Sequence, residues 1–156
     1  MTAKVERRPV DRAGREPRHR AREAAVQMLY QWEIGRASMS DVVETFWLHD
    51  DPGDTAIATD DHRTFAETLA AGVADTVASL DPVIVEAAEN WRIERMNVMD
   101  RLILRLAVYE FLHAPATPSR VIINEALELA RTFSDANSVR FVNGILDAVR
   151  RRLGRE

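Results

Sequence analysis

From Arg18 to Ile34 the apolar residues Ala21, Ala24, Ala25, Met28, Leu29 and Trp32 fall at i, i+3, i+4, i+7, i+8 and i+11, the repeat of one helix face. His19, Arg22, Val26 and Tyr30 occupy the opposite stripe. Two potentially cationic groups and an aromatic ring are therefore expected to turn away from the core. Gly35 reads as the stop. Ser38 or Ser40 is placed to cap a short helix over 40–49 with Val43, Phe46 and Trp47 inward, and Asp50-Asp51-Pro52-Gly53-Asp54 breaks it. Asp60 or Asp61 opens a third helix, in which Phe65, Leu69, Val73, Val77 and Leu80 keep a core-facing spacing to about Ser79. Asp81-Pro82 reads as a restart, a cap followed by a first-turn proline, with Ile84, Ala88 and Trp91 inward.

Asn97 is placed to cap a fifth helix with Met99, Leu102, Ile103, Leu106 and Tyr109 as its stripe and Arg101 and Arg105 one turn apart. Pro115 and Pro118 bound the loop after it. Ile122, Ala126, Leu129, Ala130 and Phe133 mark a sixth helix, and Ser134-Asp135-Ala136-Asn137-Ser138 is turn chemistry. A last helix turns Phe141, Ile145 and Val149 inward and ends in Arg150-Arg151-Arg152, where cations favour a helix C-terminus. No alternating strand is found. The expected class is all-α, with about seven helices in two packed three-helix bundles. Residues 1–17 read as a basic arm and 18–156 as a single domain, with sub-bundles over about 18–80 and 81–156.

A chain of 156 residues is long enough to bury a core without a metal or a disulfide. The absence of cysteine excludes a disulfide framework, a zinc-thiolate site and a thiol nucleophile, and suits a reducing cytosol. No apolar run approaches the roughly 18 residues of a membrane span, and the basic N-terminus leads into no signal-peptide core. The expectation is a soluble cytoplasmic protein with no membrane partner.

The formal net charge of −4 conceals an asymmetry. Residues 1–22 hold eight Lys/Arg against Glu6, Asp11 and Glu16, a balance of +5, while the remainder holds 13 basic and 22 acidic residues, a balance of −9. A basic arm on an acidic body suits contact with a polyanion, because bound phosphates release condensed counterions. A merely solvated tail is the bland alternative.

Candidate chemistry is sparse. Asp50, Asp51, Asp54, Asp60 and Asp61 lie in or beside a loop and read as solvated or capping, and His19, His49, His62 and His113 share no metal-ligand spacing. No phosphate-binding loop, dinucleotide fingerprint or nucleophile elbow occurs. The chain reads as a binding protein and not an enzyme, with no cofactor and no metal.

Positive ingredients for nucleic acid are the basic arm, its passage into the first helix, and Tyr30 as a stacking ring for a single-stranded base. Tyr30 as an aromatic edge of the core is the competing reading. Phe141, next to Arg140, divides the same way. Asn124, Glu125 and Asn143 interrupt or border apolar runs and are read first as architecture. Asp100, Arg105 and Glu110 are expected to pair across helices.

Four segments in this order carry a family resemblance: Arg20-Ala21-Arg22-Glu23 with Ala25-Val26-Gln27 and Leu29-Tyr30; Asp100 through Glu110; Ile123-Asn124-Glu125-Ala126 with Glu128-Leu129-Ala130; and Phe141-Val142-Asn143-Gly144. From about Arg18 to Val149 the chain resembles the NusB family of bacterial transcription antitermination factors. The resemblance implies an all-helical, non-catalytic protein that binds the boxA element of ribosomal RNA operon transcripts. It would do so with the ribosomal protein NusE, in the RNA polymerase antitermination complex. It also implies RNA contacts at Arg18, His19, Arg20 and Arg22, with Tyr30 as a nearby base-contacting ring and Arg140 and Phe141 as a second patch. Asp100, Arg105, Glu110, Asn124, Glu125, Asn143 and Gly144 make up its structural signature. His19 stands where the motif often has arginine, and a neutral imidazole there would weaken the RNA contact.

The alternative is the NusB-like RNA-binding module of a ribosomal RNA cytosine methyltransferase, against which stands the lack of any segment after residue 156 for a methyl donor. A protein-only adaptor with an idle arm is a third reading. A homodimer formed through Tyr30 or an apolar patch near Trp47 would hide the RNA surface.

Overall fold

Every residue from Leu102 to Val108 is buried, so α4 (Val98–His113) has no solvent face for two turns and forms the axis of the core. The computed structural model describes residues 16–49 and 60–156, and no strand occurs among them. Around α4 lie α1 (Glu16–Gly35), α3 (Asp60–Ala87), α5 (Ser119–Phe133) and α6 (Ala136–Arg152), while the short α2 (Met39–Phe46) packs on α1 and α3. Turns of 3-10 helix follow at Trp47–His49 and Ile93–Arg95. The all-α expectation holds, with six α-helices among the described residues. The arm before Glu16 and the Asp50–Asp54 breaker lie outside those residues.

Side chains set three helix starts, two of them, at Ser38 and Asn97, where the sequence placed a cap, and one at Asp135, in a segment that reads as turn chemistry. Ser38 Oγ accepts from the Asp41 N–H at 3.1 Å, Asn97 Oδ1 from the Asp100 N–H at 3.2 Å, and Asp135 Oδ1 from the Ser138 N–H at 2.9 Å, each satisfying a first-turn donor that the helix leaves without a partner. At the end of α1 the left-handed residue is Arg36 (φ 58) and not the glycine before it. Near the C-terminus, the Arg155 guanidinium donates to the Phe111 and Thr117 carbonyls, 2.7 Å each, and ties the chain end to α4 and the loop after it.

The helix break expected at Asp81-Pro82 lies elsewhere. Two helical segments make up α3 (Asp60–Ala87) and meet at a kink at Thr76 (φ −122, ψ 19), whose hydroxyl donates to the Gly72 carbonyl at 2.7 Å. Such back-bonding competes with the backbone ladder and bends helices. Pro82 falls inside the second segment. Asp81 caps nothing and instead accepts two bonds from Arg105, at 2.8 and 2.9 Å.

By length and composition α3 is the one described helix that could cross a membrane, although Glu67, Asp75 and Asp81 interrupt its apolar run. Its apolar stripe (Ala66, Leu69, Ala70, Val73, Leu80 and Ile84) is buried within the bundle, on a helix that packs against α1, α4 and α6. Trp91 also departs from its inward assignment and is 53% exposed, because α3 has ended at Ala87 and its periodicity no longer governs the position.

Candidate nucleic-acid interface

The first two turns of α1 carry four potentially cationic side chains that the fold treats differently. Arg18 is exposed, its guanidinium carbon 4.6 Å from the centre of the Phe65 ring on α3. Arg20 is half-buried, with Nε 3.7 Å from a Glu23 oxygen. His19 lies between two carboxylates, Nδ1 2.7 Å from Glu125 Oε1 on α5 and Nε2 3.0 Å from Glu23 Oε2. A carboxylate offers only acceptors, so both ring nitrogens donate and the ring is an imidazolium. Its hydrogen bonds to Glu125 and then Glu23 push its pKa up to about 9, against the opposing pull of burial. The neutral imidazole expected at this position is corrected to a cation.

Arg22 does not turn outward. Its side chain is 4% exposed, and its Nε and Nη2 donate to the two oxygens of Glu110, 2.8 Å each. Desolvation lowers the guanidinium pKa, but the Glu110 bonds outweigh it and the net shift is upward. Val26, assigned to the same outer stripe, is also buried. The physical reason is that α1 is covered by α2, α3, α4 and α5, so a two-sided reading of its periodicity fails. Arg22 is absorbed by the fold, and the exposed end of the motif is Arg18.

Tyr30 keeps its outward assignment at 43% exposed. It borders an open groove of about 340 Å³ with Gln27, Gln31, Phe46 and Met99, so a free aromatic face adjoins two amides and an apolar wall. Arg140 and Phe141 lie near the start of α6, which packs on α3, α4 and α5. There Arg140 bonds to Asn137, and the half-buried Phe141 meets Trp91 edge-on with ring centres 5.3 Å apart. Nothing in the sequence marked Trp91, or Phe65 beneath Arg18 and Arg22, as parts of these patches, because each partner comes from a distant helix or loop.

The signature residues divide into two groups. Asp100, Arg105 and Glu110 are buried, and each crosses to another helix: Asp100 Oδ2 accepts from Ser138 Oγ at 3.1 Å, Arg105 holds Asp81 with Glu33 at 3.5 Å, and Glu110 holds Arg22. Burial raises the Asp100 pKa. Arg101, a turn before Arg105, reaches the same Glu33 at 2.8 Å. Glu125 is buried beside His19. Asn124, Asn143 and Gly144, by contrast, are exposed, and a Cβ added at Gly144 would meet nothing within 4 Å. The exposure of these three sets them apart from the buried members of the signature. Among the described residues, no three His, Asp or Glu side chains gather to hold a metal ion.

The NusB family model matches residues 19–151, nearly the whole described chain. The chain belongs to the NusB family. The transcription antitermination protein NusB of Sorangium cellulosum (strain So ce56) is 43% identical over 88% of this chain and 94% of its own length. That of Koribacter versatilis (strain Ellin345) is 42% identical over 89% and 92%. Among solved structures, T. maritima NusB superposes with a TM-score of 0.75 at 32% identity, covering 86% of this chain and 90% of that one. A NusB in a complex of antitermination factors NusB and NusE with double-stranded RNA gives 0.76 at 21% identity, covering 88% and 98%. The NusB fold is therefore common to this chain and these solved structures, and in this member the buried pair Arg22–Glu110 and the part-buried pair Arg105–Asp81 tie its helices together.

Proposed function

We propose that this NusB-family protein is a non-enzymatic, cytoplasmic transcription antitermination factor that binds boxA RNA of ribosomal RNA operon transcripts together with NusE, within the RNA polymerase antitermination complex. The observation that carries the reading is the end of α1. Arg18 is exposed beside Arg20, and three turns further on the same helix Tyr30 offers a ring next to an open groove. Cations that track phosphates and a ring on which a base stacks are the two ingredients of single-strand binding. The relatives' names support the same assignment, as does the near-complete length over which the chain matches them. That length match favours the antitermination factor over the N-terminal module of a methyltransferase. Arg7, Arg8, Arg12 and Arg15 of the arm would add charge-driven, sequence-independent affinity, and the acidic body suits a basic ribosomal protein.

Reconstituted transcription tests the reading. On a template with a boxA leader and a terminator, the protein with NusE should raise read-through, and a scrambled boxA should abolish the effect. Equal read-through on both templates would reject it.

A further inference from the structure

Resting on the RNA reading above, we propose that His19 is a positioning residue and not a phosphate contact: its imidazolium fastens the first turn of α1 to α5 and fixes the helix end that presents Arg18 and Arg20 to single-stranded RNA. The geometry leaves the ring little freedom for a phosphate. Nδ1 meets Glu125 at 2.7 Å and Nε2 meets Glu23 at 3.0 Å, so both donors are engaged, and a phosphate would have to displace one of them. The Glu125 contact spans 106 positions of sequence and is therefore a tertiary tie.

The surrounding charges make the tie depend on the cation. Glu23 comes from α1 itself, Glu125 from α5 and Glu110 from α4, while Arg22 answers Glu110 and lies 3.9 Å from the same Glu125 oxygen that His19 holds. Arg20 also approaches Glu23, at 3.7 Å, and Phe65 of α3 lies under Arg18 and Arg22. Neutralising His19 would remove one cation from the group, Arg20 and Arg22 included, that faces these three carboxylates, loosening the helix end and adding negative charge beside the RNA path. Its folded-state pKa is raised to about 9, so the tie is complete below the ordinary histidine range near 6.5 and is lost only as pH rises through about 9.

The test combines imidazole NMR titration of the full-length protein with RNA titrations of His19→Gln, Glu125→Gln and His19→Arg in the presence of NusE, after thermal melts have shown that each variant folds. The His19 ring should titrate near 9, with wild-type affinity flat between about pH 5.5 and 7.5. His19→Gln and Glu125→Gln should each weaken RNA binding about three- to tenfold with an unchanged salt slope, and His19→Arg should restore it. The Glu125 variant discriminates most sharply, because removing a carboxylate near RNA would tighten binding if only net charge mattered. Tighter binding by Glu125→Gln overturns the proposal. So does a ring that titrates near 6.5, or a His19→Gln salt slope shallower by about 0.7, the mark of one lost phosphate contact on a single strand. A wild-type protein that binds no RNA would reject the functional reading and the positioning role with it, whereas the ring titration reports on the tie without any RNA.

Discussion

Arg22 and Glu110 form a two-pronged ion pair across 88 positions of sequence, with both nitrogen–oxygen distances 2.8 Å and side chains 4% and 5% exposed. The pair joins α1 to α4, and neither partner has water to fall back on. Removing one member of a buried pair strands the other charge, which typically costs about 3–5 kcal/mol, whereas replacing both by apolar groups is often neutral. Arg22→Ala should therefore shift the urea midpoint sharply downward, and Arg22→Met with Glu110→Leu should recover most of the loss. An Arg22→Ala protein of normal stability that binds RNA poorly would return this side chain to the interface.

Arg18 and Arg20 should behave in the opposite way. Arg18 is exposed and has the Phe65 ring beneath it, a contact worth about 0.5–1 kcal/mol at such a site. Alanine at either position should leave the melting curve almost unchanged, weaken boxA binding, and flatten its log–log salt dependence by about 0.7 per lost phosphate contact. Anisotropy titrations at several salt concentrations read both quantities, and parallel salt curves for wild type and variants would remove these arginines from the phosphate path.

The contrast between these arginines also marks how far the sequence alone could be read. Helix faces, the Ser38 and Asn97 caps and the core stripes of α4, α5 and α6 follow from spacing and local hydrogen-bond chemistry, and the structure repeats them, while the Asp135 cap lies in a segment that reads only as turn chemistry. Arg22 was misassigned because periodicity locates one apolar face, while α1 is enclosed by four neighbours, a property of the assembled fold. Local chemistry places the break at Pro82 because a proline is a stronger local signal than Thr76, where α3 kinks and the hydroxyl bonds back to the Gly72 carbonyl. The charge of His19 depends on Glu125, more than a hundred residues away, and no local pattern announces it.

Two glycines should respond in opposite directions. At Gly72 a Cβ would come within 2.3 Å of the Tyr109 ring, itself stacked on His113, so Gly72→Ala should cost about 1–3 kcal/mol through overpacking of α3 against α4. Gly144 lies inside α6 in open space, and Gly144→Ala should stabilise by about 0.5–1 kcal/mol. Urea melts of both variants test the pair. Destabilisation by Gly144→Ala would restore an architectural role to that residue, while a stable variant with weaker NusE or RNA binding would place it on a contact surface.

The most direct test of the central claim is fluorescence anisotropy of labelled boxA RNA titrated with the full-length protein, with and without NusE, at two salt concentrations and beside a scrambled RNA. Selective binding to boxA is predicted, salt-sensitive in both cases and strengthened by NusE, because linked contacts raise the effective concentration of each. Equal, salt-labile binding to both RNAs, indifferent to NusE, would contradict it and leave a NusB-fold domain with a basic end that recognises charge alone.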